Sequence, residues 1–318
     1  MLKRLIRNFL LLSIPLIALS VYALNFPMYF MATEYSLWQE EKDYVNTESG
    51  PVKTLIVGDS RAKSSLIPEE GSYNIAIGGS TAIEMYHALK NYLERHEPPE
   101  SIVLIFAPYH LCEIDNWQQT LFFNYLTVPE LAAVEISAIR QGGNEVLNYR
   151  GFISDILSFK LRLPNKYMDP LMKASFRGNF SSNIETFERV RSMRGYTEFG
   201  TDDGNSDLNY ETHHEVFDSS DLILSYYEKL LILMEKSDAE NLCVAQSPVN
   251  EASSEVISKD FIDGYQSYLT DKQSEHQKIS FETEVPVYEN KYFGDNNHLN
   301  RAGAERFTKE FKSSHTFY

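Results

Sequence analysis

The sequence predicts an α/β protein with a parallel, doubly wound central sheet. Short apolar runs rich in β-branched residues recur along the chain, and the segments between them carry the apolar period of amphipathic helices. The first two of these runs end in turns that contain glycine and serine. Strands and helices that alternate in this way favour a parallel sheet covered by helices on both faces.

Composition narrows the class of protein. The chain has 318 residues, of which 43% are hydrophobic, so it can bury a full core. Its formal net charge is -16, which argues against nucleic acid as a partner, because nucleic-acid binding needs a basic surface. The two cysteines, Cys112 and Cys243, fit no metal-ligand spacing. We interpret them as small buried apolar residues, and the sequence leaves a disulfide between them open.

The first 33 residues have the features of a membrane anchor or a signal peptide. Three basic residues precede the uncharged stretch Phe9–Leu24, a pattern that keeps the N-terminus in the cytoplasm. The uncharged run continues to Glu34 and is long enough to span ~30 Å of hydrocarbon. Val21-Tyr22-Ala23 also offers small residues for signal peptidase. We favour the anchor, and with either alternative the rest of the chain is extracytoplasmic.

The remainder divides into a short polar segment and one large domain. Residues 34–51 are charged and polar, and we expect a linker or a first surface element there. Residues 52–318 then form the globular domain, with a long insertion at about 112–217 that is suited to a substrate cleft or lid. An Asp-rich loop at 200–205 lacks the ligand spacing of an EF-hand, and we expect no metal there.

The first half of the domain contains three predicted strands and one helix. The apolar run Lys53–Gly58 and the fully apolar run Ser101–Phe106 are typical of strands buried on both sides. Tyr73–Ile77 is a strand that ends in Gly78-Gly79-Ser80-Thr81. A helix follows it, with Thr81 and Glu84 spaced as in a capping box.

The second half continues the alternation. Its predicted elements, in chain order, are the amphipathic helix Asp221–Lys236, the strand Asn241–Ala245, a helical stretch Ser254–Gln277, extended pieces at Ile279–Phe281 and Val285–Tyr288, and the closing helix Arg301–Lys312.

The two ends of the domain carry the residues that indicate chemistry. Gly58-Asp59-Ser60 closes the first strand and presents a serine hydroxyl at its carboxyl end, where α/β sheets bind ligands. Asp295-Asn296-Asn297-His298 directly precedes the last helix. Serine, histidine and aspartate together supply a nucleophile, a general base and an orienting carboxylate. The glycines that follow Asn74–Ile77 allow backbone N–H groups to approach an oxyanion.

These three blocks resemble, in order, those of the SGNH (GDSL-type) hydrolases and acyltransferases. The resemblance implies a flavodoxin-like three-layer fold with Ser60 as nucleophile, His298 as base and Asp295 orienting the imidazole. It also implies an oxyanion hole made by the amides of Ser60 and Gly79. We therefore expect no metal or organic cofactor.

Two positions depart from the family pattern. Arg61 stands where the family has leucine after the serine. Ala107-Pro108-Tyr109-His110 stands where the family has Gly-x-Asn-Asp, whose Asn donates to the oxyanion. Losing such a donor costs ~3 kcal/mol of transition-state stabilisation. Arg61, Tyr109 and His110 are therefore candidate substrate or oxyanion contacts.

In architecture the chain looks like the membrane-anchored SGNH-like proteins of alginate O-acetylation and teichoic acid D-alanylation. Those proteins work with a membrane-bound O-acyltransferase that delivers the acyl group. The resemblance implies acyl transfer, as O-acetylation, to a cell-surface or exported glycan through an acyl-enzyme on Ser60. A carbohydrate esterase or deacetylase of the same fold is one alternative. A non-catalytic partner of a membrane-bound O-acyltransferase is the other.

Overall fold

The structure, a computed structural model, describes residues 2–25, 33–47, 50–114, 116–141, 178–201, 204–315 and 317–318. A central sheet of five parallel strands lies between two layers of helices. The strands are β1 (Thr54–Gly58), β2 (Tyr73–Asn74), β3 (Ser101–Ile105), β4 (Asn241–Ala245) and β6 (Ile279–Phe281), and β5 (Val249–Asn250) pairs with β7 (Val287–Tyr288) in a second, two-stranded sheet.

The strand order creates a crevice at one edge of the sheet. The order is β2-β1-β3-β4-β6, so the chain leaves β1 toward β2 and then returns to place β3 on the other side of β1. The connections that follow β1 and β3 therefore diverge at the carboxyl ends of these two strands. Ligands of open α/β sheets bind at such a switch point.

The described part of the chain contains eleven α-helices: α1 (Leu2–Asn25), α2 (Thr33–Asn46), α3 (Ser60–Ser65), α4 (Ala82–Arg95), α5 (Trp117–Phe122), α6 (Val128–Arg140), α7 (Phe180–Ser192), α8 (Asp221–Lys236), α9 (Glu251–Ser254), α10 (Lys259–Glu275) and α11 (Arg301–Ser314). Short 3₁₀-helices lie at Pro108–Leu111, Tyr210–His213 and Asn290–Tyr292.

Alternate residues of each strand enter different cores. Leu55 and Val57 of β1 pack with α2, α4, α8 and α10 on one face, whereas Ile56 packs with α3 and α11 on the other. β3 and β4 alternate in the same way. Since both faces are covered, these strands read as unbroken apolar runs, which is why the sequence identifies them.

Most of the predicted elements are confirmed. β4 and α8 have the predicted bounds, and Thr81 and Glu84 form both bonds of the predicted capping box at α4. The second strand is shorter than predicted and ends at Asn74. Its backbone nevertheless continues alongside β1, because Ile75 N and Ile77 N donate to carbonyls of that strand at 2.9 and 3.1 Å.

Residues 34–51, for which we expected a linker or a first surface element, contain most of the helix α2, which packs on the globular domain. In α2, Trp38 is only 2% exposed and Val45 is buried as well, since α2 packs against α4 and α7. The helix is polar on average, which hides these few apolar positions in a sequence reading. The predicted insertion contributes α5, α6 and α7, and its part from 142 to 177 lies outside the described residues.

Two further predictions concern the N-terminus and the cysteines. Within the residues that the structure describes, we find no helix with both the length and the apolar character needed to cross a membrane. Cys112 and Cys243 are both free thiols. Burial raises the pKa of Cys112 to about 12, so this thiol is protonated at neutral pH.

Candidate active site

Ser60 lies at the carboxyl end of β1, in the crevice beside β3. β1 ends at Gly58, whose φ is +149° and where a Cβ would lie 1.8 Å from Ile105 O, so only glycine lets the two strands approach so closely. Asp59 then caps α3, its Oδ1 accepting a hydrogen bond from Arg61 N at 2.8 Å. Ser60 is thus the first residue of a helix and faces the end of the sheet.

Asp59 holds this turn and is itself completely buried. Its Oδ2 accepts a hydrogen bond from Ala107 N at 2.7 Å and also bonds His110 Nδ1. Burial by itself raises the pKa of Asp59, but His110 and the Ala107 amide lower it by more, so the pKa lies below its usual value. His110, a candidate substrate contact, therefore lies beneath the turn and connects β1 to the segment after β3.

Asp295 and His298 lie in the tight loop before α11. Asp295 Oδ1 accepts hydrogen bonds from Asn297 N and His298 N at 2.9 and 2.8 Å. His298 Nδ1 lies 2.9 Å from both carboxylate oxygens. Burial raises the pKa of Asp295, but the hydrogen bond and charge of His298, together with the two amides, lower it by more. The carboxylate is therefore ionised at neutral pH and fixes the orientation of the imidazole.

The second ring nitrogen of His298, Nε2, is not engaged by Asp295. Nε2 is buried and has no hydrogen-bond partner among the described residues. With Nδ1–H donated to Asp295, Nε2 carries the lone pair of the neutral imidazole, which is what a general base at this position would need. The ring of Phe199 lies 4.3 Å from the imidazole, centroid to centroid, and shields it from solvent.

Ser60 and His298 line the same cleft, which has a volume of about 260 Å³ and which we call the Ser60 cleft. Gly79 and Tyr109 also line it, so the structure brings together four of the residues that the sequence singled out. Asp295 lies behind His298, whereas Arg61 and His110 lie outside the lining. Ser60 and His298, from the beginning and the end of the predicted domain, therefore line one cleft.

The backbone at Gly79 is shaped for close approach. Gly79 has φ +73°, and a Cβ built on it would lie 2.0 Å from Asn116 Nδ2. Asn116 therefore places a side-chain amide against the glycine whose N–H is the expected oxyanion donor. Sequence reasoning missed Asn116, since it sought an asparagine directly after β3. The structure places Asn116 beyond the 3₁₀-helix Pro108–Leu111, at a left-handed φ of 48° that asparagine tolerates well.

Arg61 forms a buried ion pair behind the cleft. Its Nη2 lies 2.5 Å from Glu211 Oε2, and both side chains are essentially inaccessible. Arg61 Nε and Nη1 and Glu211 Oε1 have no hydrogen-bond partner in the described part of the chain. Because Glu211 follows Tyr210, which lines the cleft, the pair fixes the 3₁₀-helix that carries this tyrosine.

A second buried ion pair lies in the wall of the cleft. Lys63, one turn after Ser60, donates from Nζ to Glu41 Oε1 at 2.7 Å and to Ala76 O at 2.8 Å. Lys63 and Glu41 both line the cleft. Burial raises the pKa of Glu41 to about 7, although Lys63 opposes the rise. Sequence reasoning missed both Lys63 and Glu41. The spacing of three residues between Ser60 and Lys63 was the one available signal, since it places these two side chains on the same face of a helix.

One group of side chains has the spacing of metal ligands. Glu228, Glu275 and His276 converge within 4.8 Å of one another. Lys272 Nζ donates to the two carboxylates at 2.8 and 2.5 Å, so an ammonium already occupies the position of a cation. We interpret the group as a structural link between α8 and α10.

No family model matches the chain, and no curated protein matches it either. The geometry of the Ser60 cleft is therefore the basis for the functional proposal.

Proposed function

We propose that this protein is an extracytoplasmic, serine-dependent acyltransferase of the SGNH type that acylates a cell-surface or exported glycan. One observation carries the proposal: Ser60 and His298 line one cleft, while His298 Nδ1 is bound to Asp295 and Nε2 is unpartnered among the described residues. These residues supply the groups of a hydrolytic triad, although Ser60 Oγ makes no hydrogen bond to His298 Nε2 in the described part of the structure, so the proposed reaction needs the two atoms to come closer when substrate binds.

In the first half-reaction Ser60 Oγ attacks the carbonyl carbon of the acyl donor while His298 Nε2 takes the hydroxyl proton. The carbonyl oxygen becomes an oxyanion, for which the amides of Ser60 and Gly79 and Asn116 Nδ2 are the proposed donors. His298 then returns the proton to the leaving oxygen as its bond to carbon breaks. In the second half a sugar hydroxyl attacks the acyl-enzyme, its proton passes through His298, and Ser60 is regenerated.

The strand order supports the SGNH assignment. Numbered along the central sheet alone, β2-β1-β3-β4-β6 corresponds to 2-1-3-4-5, the flavodoxin-like order. Ser60 follows the strand at its switch point, as the proposal requires. The agreement concerns topology, which many unrelated activities share, so the chemistry still depends on the site residues.

The location rests on the N-terminal sequence. Lys3, Arg4 and Arg7 before an uncharged run support an anchor at residues 1–33 with the domain outside the cytoplasm. The apolar side chains of α1, such as Phe9, Leu12 and Leu16, are exposed in the chain by itself. With such an anchor, a membrane-bound O-acyltransferase is the proposed source of the acyl group.

Covalent labelling tests the proposal. The full chain in detergent is treated with a fluorophosphonate, and its intact mass is compared with that of Ser60→Ala. Ser65→Ala is a matched control, because Ser65 lies on the same helix with a buried hydroxyl that has no partner among the described residues. We expect one adduct on the wild type and on Ser65→Ala, and none on Ser60→Ala.

Two outcomes would redirect the proposal. A folded wild type that takes no adduct over a range of pH would favour the non-catalytic partner. An acyl-enzyme that passes its acyl group to water as fast as to an added sugar hydroxyl would favour the esterase.

A further inference from the structure

We propose that the α2 wall of the Ser60 cleft is the subsite for the acyl acceptor, that Glu41 is its specificity-determining residue, and that it takes uncharged or amino-bearing sugars in preference to acidic ones. The inference deepens the proposed function and rests on it for the identity of the ligand as an acceptor.

The first argument is the unsatisfied oxygen of Glu41. This side chain lines the cleft, is only 1% exposed and binds Lys63 through Oε1. Its Oε2 is buried with no hydrogen-bond partner among the described residues. A buried polar atom in that state is costly, and most such atoms in native proteins have an explanation. A sugar hydroxyl or ammonium that donates to Oε2 would satisfy it.

The second argument is the charge of the wall. Glu34, Leu37, Trp38 and Glu41 all line the cleft, which their spacing of three, four and seven residues along one helix face explains. Among the described lining residues Lys63 is the one lysine or arginine, and its Nζ is already bound to Glu41 and to Ala76 O. A carboxylate or phosphate on the acceptor would therefore meet two carboxylates and no uncommitted ammonium or guanidinium among those residues.

The third argument is the aromatic part of the lining. Tyr210 is 48% exposed and stacks on Tyr109 with ring centroids 5.0 Å apart. Both tyrosines line the cleft. A large rigid ring that is about half exposed suits the apolar face of a sugar ring. Aromatic surface combined with a hydrogen-bond acceptor is what a polyhydroxyl ligand needs.

Binding of oligosaccharides to the full chain tests the inference. Calorimetric titration of Ser60→Ala in detergent near pH 8, where Glu41 is mostly ionised, uses three probes: cellotetraose, tetraglucosamine and tetragalacturonate. We expect the first two to bind at least about tenfold more tightly than tetragalacturonate, since only the acid must bring a charge against Glu34 and Glu41. Tighter or equal binding of tetragalacturonate, or no binding of any probe, would overturn the inference.

A pair of variants assigns the effect to Glu41. Glu41→Gln on the same background should weaken binding of cellotetraose and tetraglucosamine by about tenfold. Glu40→Gln should leave both unchanged, because Glu40 is the neighbour on α2 that faces Arg191 at 3.3 Å and lies outside the lining. Equal affinities for the Glu41→Gln variant and its parent would contradict the role of Glu41. The probe comparison on the parent needs no change at Glu41, so it decides the matter even if that variant is unfolded.

The two proposals can fail separately. Fluorophosphonate labelling of Ser60 without oligosaccharide binding would remove the acceptor subsite and leave the acyl-enzyme. Selective oligosaccharide binding without labelling would leave a glycan-binding site and remove the catalytic proposal.

Discussion

Two buried ion pairs each have one partner on the short helix α3, and they differ in their position relative to the Ser60 cleft. Arg61 and Lys63 follow Ser60 on α3 and bind Glu211 and Glu41, respectively, at 2.5 and 2.7 Å. All four side chains are almost inaccessible. Arg61 and Glu211 lie outside the Ser60 cleft, whereas Lys63 and Glu41 form part of its wall.

The difference shows that burial alone does not assign a role. A buried pair costs desolvation that its attraction only partly repays, so neither pair is strong evidence for stability. The Arg61 pair fixes the position of Tyr210 from behind the cleft. The Glu41 carboxylate instead has an unsatisfied oxygen in the cleft wall, where a ligand could complete it.

The largest expected effect is on stability, from Glu211→Ala. The change leaves the Arg61 guanidinium buried without its carboxylate, and we expect a loss of about 3–5 kcal/mol in the free energy of unfolding. Urea denaturation measures it. The double variant Arg61→Leu/Glu211→Leu should recover most of the loss, because no uncompensated charge remains. A single-variant cost below about 1 kcal/mol would mean that the pair is solvated, contrary to its burial.

The next effect is the pH dependence that Glu41 confers. Its pKa is about 7 in the folded chain against 4.5 for the unperturbed group, so the folded state holds this proton more tightly. The stability that results is complete below pH 4.5 and is lost as pH rises through about 7. Between about pH 5 and pH 8 the wild type should lose about 1–3 kcal/mol relative to Glu41→Gln.

Urea denaturation of both proteins at the two pH values measures this loss. Glu34→Gln is the control on the same helix, because Glu34 is exposed. A constant difference between wild type and Glu41→Gln across the range would show that Glu41 stays ionised, as an ordinary ion-pair partner of Lys63 would.

A smaller effect is expected from Tyr210→Ala. Removing the ring that stacks on Tyr109 should cost about 0.5–1.5 kcal/mol of unfolding free energy and weaken cellotetraose binding. Tyr210→Phe keeps the ring and should behave like its parent in both measurements. If Tyr210→Ala binds cellotetraose as tightly as its parent, the Tyr210 ring does not contact the sugar. The Arg61–Glu211 ion pair would then have no effect on the ligand through Tyr210.

The smallest expected effect on the free energy of unfolding comes from an exposed ion pair, which serves as the reference for the two buried pairs. Lys90 and Glu94 on α4 are about half exposed and 3.7 Å apart. Lys90→Ala should change the unfolding free energy by no more than about 0.5 kcal/mol, and added salt should reduce even that change. A larger, salt-insensitive effect would mean that burial is not what separates the two pairs on α3 from a surface pair.

Local patterns account for what could be predicted from sequence. The strands β1, β3 and β4 are unbroken apolar runs, and the cap of α4 is set by Thr81 and Glu84, three residues apart. The sequence identifies Ser60 and His298 as candidate site residues because each lies near the point where a strand or loop meets a helix. Signals of this kind need only a few neighbouring residues.

The missed features all depend on distant partners. Asn116 lies beside Gly79 because the 3₁₀-helix Pro108–Leu111 lies between β3 and Asn116, so the asparagine comes several residues later than the family pattern predicts. The polar helix α2 gave little sign that it enters the core and presents Glu41 to the cleft.

Neighbouring residues are enough to specify the alternating strands and helices, the turn at Ser60, and the Asp295–His298 loop, since each follows from residues within a few positions. Tertiary packing determines which charges meet. Arg61 and Glu211 are 150 residues apart, and Lys63 and Glu41 are 22 apart, so no local period could pair them. It also decided which pair faces the cleft, because that depends on how α2 and the segment at Tyr210 pack around the end of the sheet.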